Sequence, residues 1–225
     1  MRLIVKYLRF AILFFLISTI VVALLFRFIN PPATPLMMIR VVEQLAEGES
    51  PRMQYNWIPL EKMPKNLPLA VIASEDNKFM THHGIDLKAI QKAQKLNKRG
   101  RKLRGASTIS QQTAKNVFLW PARNWVRKGL EVYFTGLIEL TWGKERIMEV
   151  YLNVIEMGDG IYGAEMAAEQ YFHKPAEKLT RSECAAIAAV LPGPRKWRPD
   201  RPTPYIQRKI SAISSMMYKV ERPGW

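Results

Sequence analysis

A single cysteine, Cys184, stands in 225 residues. That excludes an internal disulfide framework and a four-cysteine zinc site. Histidine is also scarce. His82, His83 and His173 are the full set, and no H-E-x-x-H spacing joins them, so a histidine metal centre has little material. Acid is outnumbered, with 19 Asp and Glu against 34 Lys and Arg, a formal charge of +15. This balance points to a polyanionic partner: nucleic acid, an anionic membrane surface or a phosphate-bearing substrate. No internal repeat is found, and few runs alternate with strand period. What the chain does have is apolar material. With 48% hydrophobic residues it has enough for one sizeable core and a small extra lobe, not a disordered chain.

Much of that material is at the N-terminus. Phe10 to Phe26 reads F-A-I-L-F-F-L-I-S-T-I-V-V-A-L-L-F. At about 1.5 Å per residue the run is near the lower limit for crossing a hydrocarbon core of about 30 Å. Ile29 and the stem of Arg27 extend it. Arg2, Lys6 and Arg9 precede it, which puts residues 1–9 in the cytoplasm, a transmembrane signal anchor at 10–29, and the remainder outside. A cleaved signal peptide is the alternative, but Arg27-Phe28-Ile29-Asn30-Pro31-Pro32 has no small-x-small cleavage pattern. In a bacterium the anchor implies the inner membrane with a periplasmic domain, where nucleic acid is not the partner.

Residues 30–66 read as a proline-rich spacer and membrane-proximal lobe. Met38–Leu45 fits a short helix or a strand, and Tyr55–Leu60 reads as extended. From Leu67 to the end the pattern is helical. Helices are predicted at Leu69–Asn77, Leu87–Lys98, Thr108–Phe118, Trp125–Thr141, Lys144–Asn153, Tyr162–Tyr171, Arg181–Leu191 and Pro204–Val220. The fold class is mainly α. Lys88 to Arg104 carries eight cations and no acid. It is either a solvated helix and loop or a contact for lipid headgroups or phosphates.

Four runs carry polar chemistry. Glu75 and Asp76 end the apolar stretch Leu69-Ala-Val-Ile-Ala-Ser. A carboxylate partly withdrawn from water is a better general base near neutral pH, although an acidic pair before a turn is more often a solvated helix end. In G-A-S-T-I-S-Q-Q-T-A-K-N, Gly105–Asn116, helical spacing lines one face with hydroxyls, amides and an ammonium. Thr108 and Gln111 also fit a capping box, but amides suit sugar hydroxyls and Lys115 suits phosphate. Arg123, Arg127, Lys128 and Glu131 are either an ordinary helical ion-pair set or an anion site oriented by Glu131. The run Lys144–Gly158 is an amphipathic packing helix, with Glu149, Tyr151 and Asn153 available for buried hydrogen bonds.

In this order and at these separations, the runs resemble the motifs of the peptidoglycan glycosyltransferase family, found in the glycosyltransferase domain of class A penicillin-binding proteins. E-D-x-x-F-x-x-H-x-G matches at Glu75, Asp76, Phe79, His82 and Gly84. G-x-S-T-I-x-Q-Q-x-x-K-N matches from Gly105 to Asn116. R-K-x-x-E matches at Arg127, Lys128 and Glu131, and K-x-x-I-x-E-x-Y-L-N-x-x-x-x-G matches from Lys144 to Gly158. The likeness covers roughly residues 67–194. It implies a lysozyme-like helical domain at 67–225 with a small jaw lobe and one transmembrane helix, and no transpeptidase domain is expected beside it.

The resemblance also implies polymerisation of lipid II into glycan strands by inverting transfer from a polyprenyl-pyrophosphate-linked donor. The carbon-4 hydroxyl of the acceptor GlcNAc is the nucleophile. Glu75 is then the base, and Glu131 a second catalytic carboxylate that holds cations or assists the leaving group. Substrate contacts are expected from Asp76, Phe79, Lys92, Ser107, Thr108, Gln111, Gln112, Lys115, Asn116, Arg123, Arg127 and Lys128. No organic cofactor and no protein metal site are implied. A divalent cation, Mg or Mn, stimulates many members and could approach Asp76 or Glu131 through phosphate. Expected partners are lipid II, the nascent glycan, the membrane, and other cell wall synthesis or division proteins. Two departures stand out. Lys92 replaces a common arginine, a point charge for a fork, and Gly143 replaces serine or proline. Two other classes compete. A lytic enzyme would need no pyrophosphate site, which the cationic motifs argue against. A non-enzymatic basic tether would explain the charge but not the motifs.

Overall fold

A computed structural model describes residues 2–98, 107–122 and 124–225, so Arg123 and the glycine that opens the second motif lie outside the described residues. Helix α1 spans Arg2–Phe28, 27 residues, about 40 Å at the helical rise. Leu3, Ile4, Phe10, Phe14, Ile17 and Phe28 on it are all exposed. A surface of that kind is unstable in water and suits hydrocarbon.

The lower part of α1 is docked rather than free. Thr19 and Tyr133 share a hydroxyl–hydroxyl bond of 2.8 Å, and Phe15 lies 5.8 Å from the Tyr133 ring. Trp142 Nε1 donates to the Ala23 carbonyl at 2.7 Å. Where α1 ends, its last carbonyls lack helical partners. The Arg146 guanidinium supplies them, donating to Phe26 O at 3.0 Å and Ile29 O at 3.0 Å. A cation there also complements the helix dipole. Arg146 is held in turn by Glu149, at 2.6 Å.

Helix α2, Pro35–Ala46, is capped by Thr34 and opened by proline. The stretch that fitted helix or strand is therefore helix. Tyr55–Leu60 splits into a strand, β1 at Gln54–Tyr55, and a 3₁₀ turn at Leu60–Lys62. Asn153 pins the backbone between them. Its amide accepts from Ile58 N and donates to Ile58 O, both at 2.9 Å, which satisfies a buried backbone that has no sheet neighbour there.

Helix α3, Asn66–Glu75, buries every residue from Leu67 to Ala73. It has no polar face because it lies at the centre, between α9 (Arg181–Val190) and α10 (Pro204–Met216). Leu67, Leu69, Val71 and Ile72 each contribute about 2 kcal/mol by burial. The other helices are α4, Leu87–Lys98; α5, Ile109–Phe118; α6, Trp125–Thr141; α7, Gly143–Val154; and α8, Gly163–Phe172. Helix α5 packs on α6 and α7, and α6 packs along α1. Thr108 and Gln111 form the reciprocal capping box of α5. Cys184 is buried in α9, and burial pushes its thiol up to about 12.

A small sheet has the order β1–β3–β2, with β2 at Glu156–Gly158 and β3 at Ile161–Tyr162. Of this sheet only the extended backbone at Tyr55 was predicted. The strands escape a period-two reading because they are two and three residues long. The bend after β3 needs glycine: at Gly163, φ is +80° and a Cβ would fall 2.4 Å from Asn153 O. The last helix ends at Met216, short of the predicted Val220.

Candidate active site

Glu75 is the last residue of α3, where an apolar helix meets the surface, and is half-buried. Gln112 Nε2 donates to its Oε2 at 3.1 Å, and Ser74 Oγ donates to its Oε1 at 3.1 Å. Tyr151 on α7 donates to Gln112 Oε1 at 3.2 Å. That bond fixes the amide so that its NH₂ faces the carboxylate. The helix stops at Glu75 because Asp76 turns away, with φ −159° and ψ 78°. Asp76 Oδ2 then accepts from His82 Nε2 at 2.8 Å and from Ile109 N at 3.0 Å. Gly84 N donates to His82 Nδ1, so the proton sits on Nε2 and points at Asp76. Asp76 thus ties the first motif's loop to the start of α5.

One turn beyond Gln112, Lys115 opens into a cavity of about 360 Å³, also lined by Gln112, Asn116 and Arg127. Glu131 on α6 is 3% exposed. It takes Arg127 NH1 at 2.6 Å on one oxygen and Lys128 Nζ on the other. No salt bridge reaches Lys115 among the described residues. Burial holds its ammonium below the ordinary lysine value, Glu131 opposes that shift, and Arg127 and Lys128 add to it. Such a group gains by meeting an anion.

The structure divides the expected contacts. Glu75, Gln112, Lys115, Asn116 and Arg127 converge along one face of α5 and the start of α6. Lys128 is behind Arg127 on Glu131. Ser107 is exposed, one residue before the cap of α5. Four other expected contacts are buried or bonded to the surrounding backbone. Phe79 is fully buried, its face under the Lys144 ammonium at 4.7 Å. Thr108 is 2% exposed and donates to Gly84 O. Gln111 is spent in the capping box, and Asp76 is 8% exposed with its carboxylate occupied. Arg123 and the Lys92 side chain lie outside the described residues. Sequence reasoning missed Arg40 and Glu156, which line the same cavity. Arg40 is in none of the four runs, and Glu156 falls at an unspecified position of the fourth, between Asn153 and Gly158.

A carboxylate braced by an amide thus stands next to a cavity lined by half-buried cations, in a chain that begins with a helix fit for lipid. A transglycosylase family model matches residues 41–218. A protein of Bacteroides thetaiotaomicron is 52% identical over 97% of this chain and 88% of its own length. One of Caulobacter vibrioides is 53% identical over 91% and 87%, and one of Pseudomonas putida 47% over 98% and 94%. Each is named a biosynthetic peptidoglycan transglycosylase. The chain belongs to the transglycosylase family. Its mainly α, lysozyme-like fold with one apolar N-terminal helix is the class expected from the motifs.

Proposed function

We propose that this glycosyltransferase polymerises lipid II into peptidoglycan strands, with Glu75 as base and the Lys115 cavity as the seat of the donor's pyrophosphate. The acceptor's carbon-4 hydroxyl gives its proton to Glu75. Its oxygen lone pair forms the new bond to the donor's anomeric carbon from the face opposite the phosphate, so the centre inverts. The carbon–oxygen bond to pyrophosphate breaks, and its electron pair leaves on the phosphate. Lys115 and Arg127 stabilise that charge, and Glu131 orients Arg127. A positioned base contributes about 10²–10⁴-fold and preorganised cations about 10²–10³-fold.

One observation carries the reading: Glu75 and Lys115 are bridged along α5 by Gln112, which contacts the base and lines the cation cavity. Among the described residues no three His, Cys, Asp or Glu side chains converge on a metal position. The residues do not fit a resident metal, and any divalent cation would ride on the substrate's phosphates. Exposed Trp125, Val126 and Leu140 lie on α6, which packs against α1. That supports a domain resting in the outer leaflet of the inner membrane, with the basic N-terminus in the cytoplasm.

The test is labelled lipid II with the full chain in bilayers. Wild type should yield polymer, and Glu75→Gln should lose at least 10²-fold. Near-full polymerisation by folded Glu75→Gln would overturn the base assignment.

A further inference from the structure

The cavity beside Lys115 has a second polar wall. Arg40 comes from α2, just after the anchor, and Glu156 from β2. Glu156 is 7% exposed, yet its Oε1 has no hydrogen-bond partner among the described residues. The Arg40 Nε lies 3.7 Å from it, an ion pair too long to be a hydrogen bond. Arg40 instead donates through NH1 to Glu43 at 2.5 Å, and its Nε is unpartnered. The Tyr162 hydroxyl on β3 is buried and unpartnered as well. Buried polar groups without partners are rare, since each costs about 1–3 kcal/mol. Three occur in one cluster, and two of the residues that carry them, Arg40 and Glu156, line the cavity, so its second wall holds polar capacity that the fold does not use.

We propose that Glu156 is a specificity residue for the donor, accepting a hydrogen bond from an O–H or N–H on the sugar attached to the pyrophosphate, with Arg40 as its positioning residue. The assignment rests on the donor cavity proposed above. A carboxylate offers acceptors only and repels phosphate. Within one cavity it therefore directs the phosphates to Lys115 and Arg127 and the sugar to its own wall. The two sources of the hydrogen are the ring's free primary hydroxyl and its acetamido group. Glu156 is faced by Arg40 and Glu43 on α2, by Arg195 and Asp159, and by Tyr162. Burial raises its carboxyl, Arg40 and Arg195 lower it, and Asp159 and Glu43 raise it.

The experiment varies donor and acceptor separately, using a donor blocked at its own terminal carbon-4 hydroxyl. Glu156→Gln should raise donor KM about tenfold and leave acceptor KM unmoved. Two donor analogues separate the sources. One lacks the primary hydroxyl of the pyrophosphate-linked ring, and the other carries an ester in place of its acetamido N–H. The analogue missing the recognised hydrogen should bind wild type about tenfold more weakly, with no further loss in Glu156→Gln. Arg40→Gln should shift the midpoint of the donor-KM pH profile upward. An unmoved midpoint overturns its positioning role. A donor KM within twofold of wild type in Glu156→Gln overturns the assignment. So do two analogues that bind wild type as well as the parent donor, a result that needs no variant to fold. Wild type and Glu75→Gln run alongside. Failure of wild type to polymerise sinks the proposed function and this assignment with it. Active wild type with an unchanged Glu156→Gln sinks this assignment alone.

Discussion

Replacing Lys115 by methionine should make the protein more stable and less active. The ammonium is largely buried, and Glu131, the nearby acid, is already held by Arg127 and Lys128. Burial lowers Lys115 below the ordinary lysine value, whereas the unfolded chain keeps that value. Between the two values the unfolded chain binds more protons, so stability rises with pH through that window. Below it, at neutral pH, the penalty for burying the charge is fully present. Methionine fills the same space without the charge and removes the penalty. Its melting temperature should exceed wild type at pH 7, and the gap should close as pH rises through the window toward the ordinary lysine range. Activity moves the other way. Two unit charges about 4 Å apart at an effective dielectric near 20 interact by about 4 kcal/mol. Arg127 retains part of that attraction, which leaves a loss of about 3–4 kcal/mol, or 10²–10³-fold in kcat/KM. Thermal unfolding against pH and a continuous lipid II polymerisation assay read the two effects. A variant within threefold of wild-type kcat/KM, or one that melts below wild type at pH 7, would refute the reasoning.

Other substitutions test how the scaffold holds the site. Asn153→Leu leaves the buried Ile58 N–H and carbonyl unpartnered and should destabilise by about 2–4 kcal/mol, seen as a melting point lower by roughly 5–12 °C. Asp76→Ala frees His82 and the first amide of α5. It should cost about 2–3 kcal/mol, and an unchanged melting point would mean that carboxylate is not structural. Arg146→Ala uncaps α1, so hydrogen exchange at Phe28 and Ile29 should quicken while the core amides of α3 stay protected. Equal protection in both proteins would mean the joint does not depend on Arg146.

The first and third of these rest on residues whose type was legible and whose partner was not. Helix positions followed from periodicity and caps, as where Thr108 with Gln111 marks the start of α5 by local chemistry alone, whereas the start of α2 at Pro35 falls in a stretch that reads as spacer. The N-terminal apolar helix was legible because its long run of hydrophobic residues is set by composition whatever surrounds it. Glu75, Gln112, Lys115 and Arg127 were grouped through the motif resemblance, because spacing within α5 reaches neither Glu75 on α3 nor Arg127 on α6. The pairing of β1 with β3, the Asn153 clamp and the docking of α1 on α6 were not legible. They depend on pairs of residues about 95 to 119 positions apart, and no local pattern carries such a distance.

By itself the sequence determined the mainly α class, the apolar N-terminal helix, the four polar runs and the excess of positive charge, because each is set by spacing within one element or by composition. Only the tertiary structure decided which members of those runs face the cleft. Phe79, Thr108, Gln111 and Asp76 were turned inward by packing and capping. Arg40 and Glu156, from outside or beyond the expected positions, were brought to the cavity wall. The physical reason is that a motif specifies residue types along a chain, whereas burial and hydrogen-bond partners are set by what the fold packs against them.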